Sequence, residues 1–181
     1  MKATGIVRRV DVLGRVVVPK EIRKILSIDE GDPIEIFTEK DSIVLKKYSP
    51  LSNMDGLLDD VCKALLRTTG KSVIITDKNT VLAVSGNGLK DVIGQSLSKE
   101  LNSLILNRQA FSSAFEDGGM PIETVSGQTF DFCNQMIMPI LRDEEGVGAV
   151  ILGDKSKENK ISASDVELIS LTCEILSNRY R

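Results

Sequence analysis

The sequence predicts an α+β protein built as two domains: a small β-rich one over residues 1–50 that needs a second copy of itself, and a larger α+β one over residues 54–181. Three observations carry this. The spacing of apolar residues changes from strand-like to helix-like across Tyr48-Ser-Pro-Leu-Ser-Asn53, a stretch that reads as a linker. Charge is divided unevenly: residues 1–24 carry net +5, residues 25–50 net -3 and residues 51–181 net -5, in a chain whose total is -3. A segment of about fifty residues buries too little surface to stand alone without a staple, and no disulfide or metal motif is present to staple it.

In the first domain, Thr4 to Asp11 and Arg15 to Val18 alternate as strands around a turn at Val12-Leu13-Gly14, where glycine permits a positive φ. Pro19 ends the second strand. Its fixed φ and missing N–H suit a helix start, and Ile22, Ile25 and Leu26 recur at the helical interval. A hairpin follows, from Pro33 to Thr38, across Glu39–Ser42, into Ile43–Lys47. Four short strands and one short helix thus make a domain that is an obligate dimer, its strands interleaved with those of the partner.

The second domain opens with Met54, Leu57, Leu58, Val61, Cys62, Leu65 and Leu66, one broad helical face ended by Gly70. Strands are predicted at Ser72–Asp77 and Thr80–Ser85, a helix from the spacing of Leu97, Leu101, Leu104 and Ile105, and strands at Ile122–Val125, Phe130–Leu141 and Gly146–Asp154. In the last helix, Ser164-Asp-Val-Glu167 has the form of a capping box. Two apolar stripes run along it: Val166, Ile169, Cys173, Leu176 and Tyr180, and Leu168, Leu171 and Ile175. The first has the spacing of a helix-pairing seam, and packing on its own sheet is the equal alternative.

Composition narrows the chemistry. The chain has no histidine, which removes histidine-activated nucleophiles and the commonest metal ligand, and its acidic residues sit mostly in turns such as 143–146. Catalysis is not expected, and no metal or cofactor is called for. Cys62, Cys133 and Cys173 are an odd number without CxxC spacing and read as reduced, mostly buried thiols. No apolar run reaches the roughly 20 residues of a membrane span and the N-terminus has no signal-like stretch, so the expected location is the cytoplasm. SGNG at 85–88 lacks the Gly-Lys-Ser/Thr ending of a P-loop.

The basic end is the footprint of a phosphate-binding surface, and Arg8, Arg9, Arg15, Lys20, Arg23 and Lys24 are the candidate contacts to double-stranded DNA. Strand alternation puts Arg8 and Arg9 on opposite faces, so one of them has another job. Phe130, Phe132, Met136 and Met138 fall on one face of a predicted strand; they line either a ligand cavity or ordinary core.

TGIVRRVDVLGRVVVPKEIRKIL, followed by GDPIEIF and IVLKKY, resembles the swapped-hairpin DNA-binding domain of AbrB-type transition-state regulators, without gaps over residues 1 to about 50. MPILRDEEGVGAVILGD resembles the closing strands of a GAF domain, and the whole chain resembles sporulation regulators that join the two. The resemblance implies a swapped-hairpin β-barrel dimer followed by a GAF-like α+β domain, with Arg8, Arg15 and Arg23 as principal DNA contacts and Lys24 beside them. Where Lys24 stands the family often has arginine; lysine keeps the charge and loses the bidentate fork. Further implications are a homotetramer through the second domain, a small-molecule effector of unknown identity there, no membrane partner, and control of forespore-stage genes, hence a place in the forespore nucleoid. An antitoxin-type DNA-binding protein and a metabolite sensor without a DNA role are the rival readings.

Overall fold

The computed structural model of the chain describes residues 5–26, 28–51 and 54–178, which fall into two compact units, Met1–Tyr48 and Ser49–Arg181. Expectations resting on Lys2, Thr4, Ser52, Asn53 and Tyr180 lie outside the described residues.

The first unit contains helix α1 (Lys20–Ile25) and an antiparallel hairpin of β1 (Ile34–Glu39) and β2 (Ser42–Lys47). Pro19 sits at the N-cap of α1, as its ring geometry favours. The hairpin runs in register from Ile34↔Lys47 to Glu39↔Ser42, and Lys40 takes the positive φ of 46° that the two-residue turn requires. Half-buried Lys47 pairs with Asp32 at 2.8 Å, and the Lys46 ammonium lies 5.1 Å from the centre of the Phe37 ring. The strands expected on either side of Gly14 join no sheet among the described residues. Asp11 N–H donates to the Arg15 carbonyl at 3.1 Å and Gly14 N–H to the Asp11 carbonyl at 3.0 Å, so the turn closes but no ladder continues from it. A strand ladder needs a second strand at about 4.8 Å, and the described residues supply none there.

Among the described residues up to Tyr48 none is buried. Thirteen of the twenty large hydrophobic side chains that are exposed in the described structure belong to this unit, from Ile6 to Leu45, although it is the smaller of the two.

The second unit is a five-stranded antiparallel sheet in the order β4-β3-β7-β6-β5, built from β3 (Ser72–Asp77), β4 (Val81–Ser85), β5 (Phe111–Ser113), β6 (Asn134–Arg142) and β7 (Glu145–Asp154). Helices α2 (Asp55–Thr69) and α4 (Ala163–Asn178) cover one face, and α3 (Lys99–Leu106) with the loops around it covers the other. Alternation along β3 explains the two cores: Val73 and Ile75 face α2 and α4, whereas Ile74 faces α3. Gly70 ends α2 with φ 71° and donates to the Leu66 carbonyl at 2.8 Å. Leu51, expected in the linker, is 1% exposed and packs in the α2/α4 core.

Several expectations change. Residues 122–125 form no strand: Val125 makes isolated bridges to Leu97 and Gln128, and Ile122 is held to β6 by Gln135, whose Oε1 accepts from the Ile122 N–H at 2.9 Å and whose Nε2 donates to the Ile122 carbonyl at 3.1 Å. Strand β6 starts at Asn134 rather than Phe130, because Asp131 takes a φ of 51° and breaks the extended run. The capping box of α4 lies two residues earlier than expected. Ser162 Oγ accepts from Asp165 N–H at 3.1 Å while Asp165 Oδ2 accepts from Ser162 N–H at 2.8 Å, and Glu167 stays exposed. Among the described residues no helix is long and apolar enough to cross a membrane.

Candidate nucleic-acid interface

The basic residues gather around two pieces of local structure. The first is the turn at residues 11–15. Asp11 Oδ1 accepts from the backbone N–H of Leu13 at 2.9 Å and of Arg15 at 2.8 Å, which makes the aspartate side chain the inner brace of the turn. Its other oxygen, Oδ2, accepts from Arg15 Nε at 2.7 Å. The Arg15 amide first, and then its guanidinium, hold the Asp11 carboxyl below its usual range. Arg15 is therefore fixed at its backbone and at Nε while its side chain stays 72% exposed, leaving the outer end of the guanidinium open to a ligand.

The second piece is α1. Lys20, Arg23 and Lys24 are spaced i, i+3, i+4 and so share one side of the helix. Lys20 and Lys24 are exposed and Arg23 is half-buried. Helix ends add to this, because Arg23 and Lys24 occupy the last turn, where cations complement the helix dipole. Arg8 and Arg9 lie in the segment before the turn, both exposed, and neither makes an ion pair or hydrogen bond among the described residues. Exposure alone does not separate their roles. Asp11 is the residue that reading charge by sign passes over: its position four before Arg15, in an Asp-x-x-Gly-Arg turn, is the local signal that finds it.

The four residues placed on one strand face, as cavity lining or ordinary core, are divided by the sheet. Met136 and Met138 face the α2/α4 core, whereas Phe130 and Phe132 pack on the α3 side with their ring centres 5.5 Å apart. The positive φ at Asp131 and the later start of β6 upset the alternation that had put all four together. The two phenylalanines do line an open cavity of about 210 Å³ formed within the 121–132 loop, together with Ile122, Glu123, Thr124 and Asp131. Its walls carry two carboxylates and no basic side chain.

Comparison with known proteins follows the same division. Residues 54–180 match the family model described as stage V sporulation protein T C-terminal, transcription factor, and residues 7–52 match that of antidote-toxin recognition MazE, bacterial antitoxin. Stage V sporulation protein T of Bacillus subtilis (strain 168) is 42% identical over 158 residues, 87% of either chain. The transition state regulatory protein AbrB of the same organism is 58% identical over 50 residues, 28% of this chain and 52% of that one. For the second unit, the GAF domain from Acinetobacter phosphoenolpyruvate-protein phosphotransferase superposes with a TM-score of 0.58 over 72% of this chain and 81% of that one, at 12% identity. That similarity is one of fold, and the helix-covered antiparallel sheet is GAF-like. With a model matched over most of the chain and a relative this similar along nearly its full length, the chain belongs to the stage V sporulation protein T family of transcription factors.

Proposed function

We propose that this chain regulates transcription of sporulation genes by binding double-stranded DNA through a dimer of its N-terminal units. The observation that carries the reading is the combination found among the described residues of 5–48: no buried side chain, thirteen exposed large hydrophobics, and the basic candidates Arg8, Arg9, Arg15, Lys20, Arg23 and Lys24 in the same unit. A soluble monomer rarely exposes that much apolar surface, and a second copy interleaved with the first covers it and doubles the cationic patch. Arginines then lie over phosphates and reach base edges in a groove. The relative named above, a sporulation protein, and the transition-state regulator matched over the first fifty residues support a regulatory role; in this reading the protein works in the forespore nucleoid, and its work is regulation rather than catalysis.

Assembly beyond the dimer is the second part of the proposal. In α4 the stripe that had the spacing of a pairing seam is spent inside its own domain: Ile169, Cys173 and Leu176 are buried. Of the other stripe, Leu168 packs against the α2/α4 core, whereas Leu171 and Ile175 are left outward, 54% and 49% exposed. Pairing of two such helices joins two dimers into a homotetramer. In the same domain we assign the 210 Å³ cavity to a small effector that is neutral or cationic, since its rim holds Glu123 and Asp131 and no cation to meet an acidic group.

A fluorescence-anisotropy titration of the full chain on duplex DNA at several salt concentrations tests the reading. With about six phosphates neutralised, log affinity falls with log salt at a slope near about -5. A flat salt dependence, or a monomer in sedimentation at micromolar concentration, overturns it.

A further inference from the structure

We propose that Asp11 is a positioning residue of the DNA interface, holding Arg15 by its Nε so that the outer end of the guanidinium reads a guanine, while the other basic residues act on phosphates. The inference rests on the DNA-binding reading above and assigns within it which residue carries sequence information.

The argument starts from an apparent misplacement. An aspartate stands next to the most basic stretch of the chain, where its charge opposes any approach to phosphates. Charge alone argues against it. Its geometry supplies the reason for its presence: one oxygen fixes the turn through two backbone N–H groups, and the other takes Arg15 Nε at 2.7 Å. An arginine held at Nε has spent one of its five donors, and the remaining four project from Nη1 and Nη2. Two of those form the parallel fork that matches O6 and N7 of guanine in the major groove. A free arginine loses side-chain entropy on forming such a pair; Arg15 has much of that loss taken already in the unbound protein. Lys20 and Lys24 lack a fork, and Arg8 and Arg9 lack a brace among the described residues.

Asp11→Asn separates this role from a merely structural one. The asparagine Oδ1 still accepts from the Leu13 and Arg15 amides, so the turn survives, whereas its Nδ2 carries hydrogens and cannot accept from Arg15 Nε. The probe is a duplex enriched from a random pool by the full-length wild-type chain, compared with a scrambled duplex of the same composition. Asp11→Asn is expected to lose about tenfold in affinity for the enriched duplex and nothing for the scrambled one, with the salt slope unchanged. Replacing guanines one at a time by 7-deazaguanine, which removes N7, should weaken the wild-type chain about fivefold or more at one position and leave Asp11→Asn indifferent there. Arg15→Lys, which keeps the charge and loses the fork, should be indifferent at that same position, so the assignment is tested even where the first variant folds poorly.

If Asp11→Asn binds the enriched duplex as tightly as the wild type or more tightly, as simple charge counting requires, the inference is wrong. Full guanine sensitivity in Arg15→Lys also refutes it. If the wild-type chain enriches no duplex at all, the DNA-binding reading itself fails, an outcome distinct from either of these.

Discussion

Lys71 offers the sharpest test of how the second unit is held together. It immediately precedes β3 yet is 3% exposed, and its ammonium lies 3.0 Å from Asp165 Oδ2 at the start of α4, with the two side chains 3% and 7% exposed. Asn159 Oδ1 accepts from the same ammonium at 3.0 Å, and Asn159 in turn donates to Asp154 Oδ2 at 2.7 Å. The pair thus ties the first strand, the 155–162 loop and the last helix into one polar cluster. Replacing Lys71 by methionine keeps the apolar stem and removes the charge, which strands a buried carboxylate. Breaking one side of a buried pair costs about 3–5 kcal/mol. The lower end, about 3 kcal/mol, applies here because Ser162 still donates to Asp165 twice, from its amide at 2.8 Å and its hydroxyl at 2.9 Å. For a unit of this size that lowers the melting midpoint by roughly 10 °C.

Urea denaturation of the full chain, with a matched calorimetric scan, measures the loss, and Lys71→Met/Asp165→Asn should recover more than half of it. Acid supplies an independent check. Burial pushes the Asp165 carboxyl up, but the Ser162 amide and Lys71 outweigh it and hold it below its usual 3.8. A depressed carboxylate stabilises the fold fully above its unfolded value and loses that contribution as pH falls through the lower native one. The unfolded state is common to both, so the stability gap between wild type and Lys71→Met holds steady near neutral pH, narrows as pH falls through the carboxyl's value in the variant, which the loss of Lys71 raises, and closes below the depressed wild-type value. A loss under about 1 kcal/mol for Lys71→Met, or a gap unchanged to pH 3, would refute the reasoning.

Four further outcomes are expected. Gly148→Ala places a Cβ against the Thr76 carbonyl oxygen and 2.8 Å from Leu51 Cδ1, between strands that cannot part, so it should cost about 3 kcal/mol or more in a denaturant titration. If two α4 helices pair as proposed, Leu171→Glu with Ile175→Glu should convert the proposed tetramer to dimers in sedimentation velocity while the melting midpoint moves by less than about 3 °C, since both side chains are half exposed. At pH 8 a thiol reagent should label half-buried Cys133 first, because burial pushes the Cys62 and Cys173 thiols up to about 12; prompt labelling of all three would contradict the packing of α2 and α4. Arg8→Ala or Arg15→Ala should leave the dimer intact and weaken DNA binding at least about tenfold, and unchanged affinity in a gel-shift assay would remove that residue from the interface.

What the sequence disclosed about the second unit follows the range of each interaction. The face of α2, its stop at Gly70 and the strands β3, β4 and β7 depend on residues a few positions apart, and periodicity finds them. Strand β5 is three residues long, below the length at which alternation has meaning, and it went unread. Lys71 and Asp165 are 94 positions apart, so nothing local marks them as partners, and the same contact explains why Ser162-Ala-Ser-Asp165 rather than Ser164-Asp-Val-Glu167 caps α4. Asp165 can close the box and meet Lys71 together; Glu167 points to solvent. For Phe130, Phe132, Met136 and Met138, one residue with positive φ was enough to undo a pattern of period two.

The first unit was opaque for a different reason. Its charge was legible because net charge is a property of single residues, and so was the β1–β2 hairpin, whose two strands lie on one chain. The segments on either side of Gly14 alternate as strands do, yet a strand is defined by a partner, and among the described residues this chain offers none. Val7, Val10, Val16 and Val17 remain 52% or more exposed in consequence. β-branched residues in alternation, left open to water on an unpaired edge, invite another strand, and natural proteins block such edges when pairing is unwanted. Here the usual blocks are few: no proline falls between Gly5 and Val18, the only acidic side chain in that span, Asp11, is turned inward on the turn, and the remaining charges, Arg8, Arg9 and Arg15, are the candidate phosphate contacts. An open edge of this kind, joined to a fixed arginine at its tip, is better explained as half of a shared sheet than as a poorly folded monomer.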